Sequence, residues 1–158
     1  MTEPRWLDDD EMRAWRALLG ASVSLQAELD RELQEAHGFG IGDYEVLVML
    51  SESEGRRMRM SDLAGMLHLT PSGLTRRFDN VVARGWAIRE KCPSDRRGSF
   101  AVLTDDGFAA LEAAAPTHVR GVRAHFIDLL SKRELASLAA AMELVQRNCT
   151  HVDESAVG

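Results

Sequence analysis

The sequence contains few cysteines and prolines, and it has no long apolar run. Among its 158 residues are two cysteines and four prolines. Two cysteines are too few for a disulfide framework and fit a reducing compartment. No apolar run approaches the roughly 20 residues that a membrane-spanning helix needs. The first residues, MTEPRWLDDDE, are acidic, unlike a signal peptide. We therefore expect a cytoplasmic protein that does not enter a membrane.

Motifs of catalysis and of metal binding are also missing. The five histidines form no H-E-x-x-H motif, and the chain has no G-x-S-x-G and no paired-cysteine metal motif. His118 and His125 are seven residues apart, a spacing that could hold zinc but is more typical of an ordinary helix surface. The segment GFGIG follows a helical pattern, whereas a dinucleotide-binding loop should follow a strand. We therefore expect no enzyme, no cofactor and no metal site.

The net charge of −6 conceals an uneven distribution. Residues 56–97 contain ten basic and four acidic side chains, a net charge of +6, whereas the rest contains nine basic and twenty-one acidic ones, a net charge of −12. A basic middle between acidic ends is typical of a polyanion-binding module, although a solvated charged face would give the same composition. The hydrophobic content of 45% excludes a disordered chain.

Long amphipathic helices are predicted at both ends of the chain. Apolar residues recur at three- and four-residue steps from Met12 to Leu33, and glycines after His37 end that pattern. A second helix is predicted over residues 43–52. Later helices are predicted over 104–129, kinked or divided by Pro116, and over 132–148, with an aperiodic tail after that. Such helices have little to pack on in so small a domain, which favours a homodimer.

The middle of the chain has the pattern of a helix-turn-helix. A small strand at residues 58–60 precedes a short helix that Ser61 is expected to cap. Thr70-Pro71 predicts the start of a second helix, which ends near Arg84. Its polar side is expected to pair Asp79 with Arg76. That polar side comprises Ser72, Arg76, Asp79, Asn80 and Ala83, with Thr75 and Arg77 on its flanks.

A β-hairpin follows this helix directly. Residues 86–91 alternate as a strand does, residues 93–98 have turn chemistry, and residues 99–103 form the return strand. Two arginines, Arg96 and Arg97, fall at its tip. The predicted fold is mainly α with a small β-hairpin, a winged helix-turn-helix with N- and C-terminal dimerisation helices.

Residues 95–107, DRRGSFAVLTDDG, resemble the wing signature D-x-R-x-x-x-V-x-L-T-x-x-G of the MarR family of bacterial transcription regulators, with Ala101 where valine is usual. Residues 63–76 and 115–116 resemble the family's helix-turn-helix and following helix, so the resemblance covers about residues 10–148. It implies a homodimer whose first and last helices pack together and hold two winged helices above one DNA duplex. The implied organisation is a dimerisation helix (1–36), a DNA-binding domain (37–104), dimerisation helices (105–149) and a tail (150–158).

The resemblance also implies a DNA-binding site. The wing-tip arginine, Arg97, corresponds to the residue that enters the minor groove, with Asp95 supporting the hairpin. The recognition helix would meet the major groove of a pseudo-palindromic double-stranded operator. The candidate contacts are Ser72, Gly73, Thr75, Arg76, Arg77, Asn80, Arg96 and Arg97.

Regulation is expected to involve a small ligand. In the MarR family, which this sequence resembles, small aromatic or anionic effectors release the regulator, commonly a repressor, from DNA. Candidate lining residues are Trp15, Leu19, Tyr44 and Glu45. An alternative is oxidation at Cys92, which neighbours two cations, Arg89 and Lys91. Two further alternatives are a ligand-binding helical protein without DNA function and a winged-helix protein-interaction module.

Overall fold

The structure is a computed structural model that describes the backbone of residues 3–92 and 95–154 and the side chains of residues 3–92 and 98–149. Residues 1–120 and 121–158 form two compact units. The helices are α1 (Asp9–His37), α2 (Ile41–Glu52), α3 (Met60–Met66), α4 (Pro71–Ala83), α5 (Asp105–His125) and α6 (Lys132–Glu154). The strands are β1 (Arg57–Arg59), β2 (Ala87–Cys92) and β3 (Asp95–Leu103). None of the helices described is both long and apolar enough to span a bilayer.

The long N-terminal helix is confirmed. Asp8 and Glu11 form a capping box at the start of α1, which satisfies two backbone N–H groups at that end. Gly38 ends the helix in the left-handed region, at φ 72°. Only the C-terminal part of α1 enters the core of its own unit, through Leu29 and Leu33. Nearer the start of the helix, Trp15, Leu19 and Val23 are exposed, whereas the other apolar residues of the stripe are half-buried.

The core of the first unit joins α2, α3 and α4. Tyr44, Val46, Leu47 and Leu50 of α2 are buried. They belong to one cluster with buried residues of the following helices, Leu63, Leu74, Phe78 and Val81. The helix begins at Ile41, two residues before the predicted start. The Asp30 carboxylate of α1 accepts a hydrogen bond from the Ile41 N–H at 2.8 Å and so supplies the missing cap.

The start of α4 follows the prediction, but the start of α3 does not. Thr70 Oγ1 accepts a hydrogen bond from the Gly73 N–H at 3.1 Å, and Pro71 opens the helix. The expectation that Ser61 caps α3 is wrong, because the helix already begins at Met60, directly after β1, without a side-chain cap. The Ser61 hydroxyl instead donates to Asp62 Oδ1 at 3.0 Å.

The hairpin is confirmed and acquires a third strand, but β3 already begins at Asp95, within the predicted turn. The antiparallel sheet has the order β1–β3–β2, in which Val102 opposes Arg57 on one side and Ile88 on the other. Ala101 and Leu103 are buried in the core on one face of β3. A register shift between Lys91 and Cys92 interrupts the ladder near the wing tip. The short strand is displaced by one residue from the predicted 58–60.

The wing is fastened to the start of α5 by Thr104. Its hydroxyl accepts a hydrogen bond from the Gly107 N–H at 3.0 Å and donates one to the Gly85 carbonyl at 2.7 Å. A Cβ on Gly107 would lie 2.0 Å from the Trp86 carbonyl oxygen, so this close approach requires glycine. Pro116 does not divide α5, which ends at His125, four residues before the predicted end.

Helix α6 is longer than expected. Ser131 caps it, with the Ser131 N–H donating to the Glu134 carboxylate at 2.8 Å and the Ser131 hydroxyl at 2.6 Å. These hydrogen bonds lower the pKa of Glu134. The helix continues to Glu154, so the predicted start of the aperiodic tail is wrong. Extending an existing helix costs little, and this stretch therefore needs no apolar period to remain helical.

Candidate nucleic-acid interface

Helix α4 has one buried and one exposed face. Leu74, Phe78 and Val81 fix the helix to the core. Gly73 is half-buried beside the Thr70 cap. The opposite side offers hydroxyl, amide and guanidinium groups, the types that contact phosphates and base edges. The predicted contact residues exposed on this side are Ser72, Thr75, Arg76 and Asn80.

Among the described residues, the hydrogen bonds on the exposed side of α4 do not involve its cation, Arg76. Thr75 Oγ1 donates to the Pro71 carbonyl at 2.9 Å, and the Ser72 and Thr70 hydroxyls lie 3.2 Å apart. Within the described part of the chain, no ion pair or hydrogen bond engages the Arg76 guanidinium. An exposed guanidinium on a helix face can bind a phosphate or read guanine bidentately.

Arg77 lies elsewhere. Its side chain is 30% exposed, its Nη1 is 3.4 Å from Glu45 Oε2, and its guanidinium packs against Gly42. Arg77 therefore lies between α4 and α2, not on the exposed face with Arg76. Arg76 and Arg77 are consecutive in the helix, and consecutive side chains of a helix point in different directions, so the two arginines have different surroundings.

The expected pairing of Asp79 with Arg76 is wrong. Asp79 Oδ1 accepts a hydrogen bond from Arg89 Nη1 at 2.8 Å. Arg89 belongs to β2, opposite the buried Ala101, so strand alternation directs its side chain towards α4. Helical spacing indicates partners within the same helix and therefore gives no signal for this contact with a strand.

The wing tip is described only in part. The backbone of Asp95, Arg96 and Arg97 lies in β3, but their side chains are outside the described residues, and so are the roles predicted for them. At the end of β2, Arg59 Nη2 donates to Cys92 Sγ at 3.7 Å, and this thiol is 6% exposed. A neighbouring guanidinium favours the thiolate form of a cysteine.

A cavity of about 750 Å³ lies behind α4, and two of the four predicted ligand-binding residues, Tyr44 and Glu45, line it. The other two, Trp15 and Leu19, are about half exposed on α1 and do not line it. The other lining residues are not predicted by helical periodicity, because the apolar ones are typical of a core, Arg77 is predicted as a DNA contact, and His118 is typical of a helix surface. They are Gln26, Ile41, Val48, Met49, Met66, Leu67, His68, Leu69, Arg77 and His118.

His118 is the chemically distinctive member of this wall. Its ring lies 4.5 Å from that of Tyr44, and its buried Nδ1 has no hydrogen-bond partner among the described residues. Burial lowers the pKa of His118 and raises the pKa of Tyr44, so both side chains are neutral at pH 7. A neutral imidazole and a phenol can each donate or accept a hydrogen bond. Within the described residues, no group of three or more His, Cys, Asp or Glu could hold a metal ion.

Comparisons with known proteins agree with this geometry. The MarR family model matches residues 41–99. The crystal structure of AbsC from Streptomyces coelicolor, a MarR family transcriptional regulator, is 43% identical, with 94% of this chain and 99% of that chain covered and a TM-score of 0.86. Sco3205, a MarR family regulator from the same organism solved in complex with DNA, is 41% identical over 92% of this chain and 91% of its own, with a TM-score of 0.87.

A curated relative points in the same direction. The HTH-type transcriptional regulator PecS of Dickeya dadantii is 25% identical over 143 residues, which cover 90% of this chain and 85% of PecS. The identity to AbsC and Sco3205 extends over nearly the whole chain, well beyond the wing signature. With its winged helix-turn-helix and exposed polar recognition helix, the chain belongs to the MarR family and is a DNA-binding transcriptional regulator.

Proposed function

We propose that the protein is a homodimeric repressor that binds a pseudo-palindromic operator and leaves it when a small aromatic or anionic ligand binds. One observation carries the DNA-binding part. Helix α4 exposes hydroxyl, amide and guanidinium groups directly beside the β2–β3 wing. A helix and a hairpin exposed side by side suit a major groove and the adjacent minor groove.

The proposed contacts divide by groove. The exposed residues of α4 would contact base edges and phosphates in the major groove, with Gly73 allowing close approach near the start of the helix. Arg96 and Arg97 would reach the minor groove from the wing tip, with Asp95 supporting the hairpin. Arg77 faces the cavity, so we assign it to ligand binding. The remaining proposed major-groove contacts are Ser72, Thr75, Arg76 and Asn80.

A second copy of the chain is the proposed partner of the end helices. Trp15, Leu19 and Val23 are between 47% and 71% exposed on α1. In the second unit, Leu144 and Val145 of α6 are 64% and 50% exposed. Exposed apolar stripes on long helices are costly unless another surface covers them. We therefore propose that residues 1–36 and 105–149 form the dimer and residues 37–104 bind DNA.

The cavity is the proposed effector site. It combines apolar walls with a few polar groups, the usual character of a small-molecule site. Arg77 and His118 are the groups that could bind an anionic or hydrogen-bonding ligand. Because Arg77 is in α4, an occupant would contact the recognition helix itself. A ligand that weakens operator binding tenfold must itself bind the DNA complex tenfold more weakly, a coupling of about 1.4 kcal/mol.

Electrophoretic mobility shifts test the DNA function. The probe is duplex DNA from upstream of the protein's own gene, and the control is the same sequence shuffled. We expect specific binding that weakens steeply with salt, because arginine–phosphate contacts release counterions. Arg97→Ala should weaken binding by about 1–3 kcal/mol without loss of the folded dimer. Equal affinity for the shuffled duplex would contradict the proposal.

Fluorescence titration tests the effector function. A panel of phenolic acids is added to the dimer with and without operator, and tryptophan emission is followed. We expect at least one compound to bind, and to bind more weakly when operator is present. A compound whose affinity is unchanged by operator is no effector.

Oxidation at Cys92 is the alternative regulation, favoured by the Arg59 contact. Hydrogen peroxide would convert the thiol to a sulfenic acid and release water. The larger oxidised group would disturb the packing of Arg59 in β1 against the end of β2. We expect peroxide to weaken operator binding of the wild type and of Cys149→Ser, but not of Cys92→Ser, if this mechanism operates. Cys149 is exposed and gives the matched control.

A further inference from the structure

An ion pair joins the recognition helix to the wing. Arg89 Nη1 of β2 donates to Asp79 Oδ1 of α4 at 2.8 Å. The same guanidinium lies 5.3 Å from the ring centroid of Phe78, which is fully buried. The arginine is therefore held by the carboxylate and by the ring of two successive residues of the helix.

The register of the sheet explains why this arginine reaches the helix. Arg89 opposes Ala101, which is buried against the core, whereas Glu90 opposes Phe100 on the other face. Asp79 follows Phe78, so it stands where the buried face of α4 turns to the exposed one. The Asp79–Arg89 pair thus connects the core-facing side of β2 with the edge of the exposed face of α4.

We propose that the Asp79–Arg89 pair sets the angle between wing and recognition helix, which makes Asp79 a positioning residue for DNA binding. The inference rests on the proposed interface, in which both elements contact one duplex. In that interface the recognition helix and the wing contact adjacent grooves of one DNA duplex, so they must keep a fixed relative orientation. A small displacement would weaken the fit of one of them to its groove. A hairpin fastened only through its base would not supply this restraint near its middle.

A positioning role and a purely electrostatic role of Asp79 predict opposite effects on DNA binding when its charge is removed. Asp79 places a negative charge at the edge of a surface that would meet phosphates, so its neutralisation alone should strengthen DNA binding. Removal of a positioning contact should weaken binding instead. The side chains of Asp79 and Arg89 are 55% and 37% exposed. Exposed ion pairs contribute little to folding, and loss of this pair should therefore leave the fold intact.

The experiment measures operator affinity for Asp79→Asn, Arg89→Ala, the double variant and Arg89→Lys. Asp79→Asn keeps the shape of the side chain but loses the charge-assisted hydrogen bond to Arg89, and Arg89→Lys keeps the charge without the planar fork. The matched control is Glu90→Gln. Like Asp79→Asn it removes one negative charge, but it removes it from the wing. Glu90 lies 3.2 Å from Arg57 within the sheet, away from α4. Thermal melting of each variant monitors the fold.

We expect Asp79→Asn and Arg89→Ala each to weaken binding about fivefold or more, within the usual range of coupling between sites. The double variant should be no weaker than the worse single variant, because both remove the same contact. Glu90→Gln should bind at least as well as the wild type, and Arg89→Lys should fall between the wild type and Arg89→Ala. Melting temperatures and the salt dependence of Asp79→Asn should match the wild type.

Three results would overturn the inference. Asp79→Asn that binds as tightly as the wild type, or more tightly, shows that the carboxylate acts by charge alone. Fully additive losses in the double variant show two separate DNA contacts. A salt slope lowered by about one in Arg89→Ala, together with an unaffected Asp79→Asn, makes Arg89 a phosphate contact. If the wild type itself does not bind DNA specifically, the proposed function fails first, which distinguishes the two failures.

Discussion

The Asp30 carboxylate in the long first helix holds the first backbone N–H of α2, 2.8 Å from the Ile41 nitrogen. Gly40 lies so close that a Cβ there would stand 2.2 Å from Asp30 Oδ1. The first helix, which we propose to form the dimer, is thereby tied to the helix that carries Tyr44 and Glu45 of the cavity. The hydrogen bond provides one physical link between dimer helix and ligand site.

Asp30→Ala should lower the free energy of unfolding by about 1 kcal/mol, since it removes the acceptor that caps α2. Urea denaturation measures the loss. Asp30→Asn is the matched control, because the amide oxygen can still accept the Ile41 N–H, and it should retain most of the stability. An alanine variant as stable as the wild type would show that water replaces the carboxylate without cost.

Gly107→Ala should destabilise the protein by several kcal/mol, because the new methyl group would meet the Trp86 carbonyl oxygen, a backbone atom that cannot rotate away. Gly65→Ala is the comparison. Its Cβ would meet nothing within 4 Å, and it should be unchanged or up to about 1 kcal/mol more stable. Thermal melting of both variants gives the answer. Similar melting temperatures for the two would refute the steric argument.

Val23→Glu should convert the dimer to a monomer, because Val23 is 71% exposed on the apolar side of α1 that we propose a second copy covers. Sedimentation at micromolar concentration would then show a species near the 17.5 kDa chain mass. Ala21→Glu places the same charge on a different side of the same helix and should leave the dimer intact. A wild-type protein that sediments as a monomer would remove the proposed dimer altogether.

Arg76→Ala should weaken operator binding more than Arg77→Ala does, although the residues are adjacent and identical. Arg76 is exposed beside Ser72 and Thr75, whereas Arg77 faces Glu45 in the cavity. If the Arg76 guanidinium binds a phosphate, its removal should also lower the slope of log affinity against log salt by about one. Arg77→Ala should instead diminish the response to a carboxylate ligand. Reversed effects would mean that α4 presents a different face to DNA.

His118 should make the folded state sensitive to mild acid. Burial lowers its pKa in the folded state below the ordinary value, so the unfolded chain binds a proton more readily as the pH falls. Stability should therefore decrease as the pH drops below about 6.5, the ordinary histidine value. The titratable groups in the same wall are Tyr44, Glu45, His68 and Arg77. Urea midpoints at pH 7.5 and 5.5 should differ less in His118→Gln than in the wild type; an equal difference in both would exclude His118.

Local signals in the sequence were sufficient to specify the order and type of the main elements. Thr70-Pro71 marked the start of α4, and Thr104 followed by two aspartates marked the start of α5, because such capping signals act within a few residues of the chain. The wing followed from strand alternation and turn chemistry. The exposed face of α4 followed from helical periodicity, which places Ser72 and Arg76 opposite Phe78.

The pairing of side chains that are distant in sequence depended instead on the packing of the folded chain. Asp79 pairs with Arg89 of the wing and not with Arg76, and Asp30 caps a helix eleven residues away. His118 reaches the cavity from α5, far from Tyr44 in sequence. Periodicity assigns a residue to a face of its own element but does not name the residue opposite it. That partner depends on how elements pack, which is fixed by burial of the whole core.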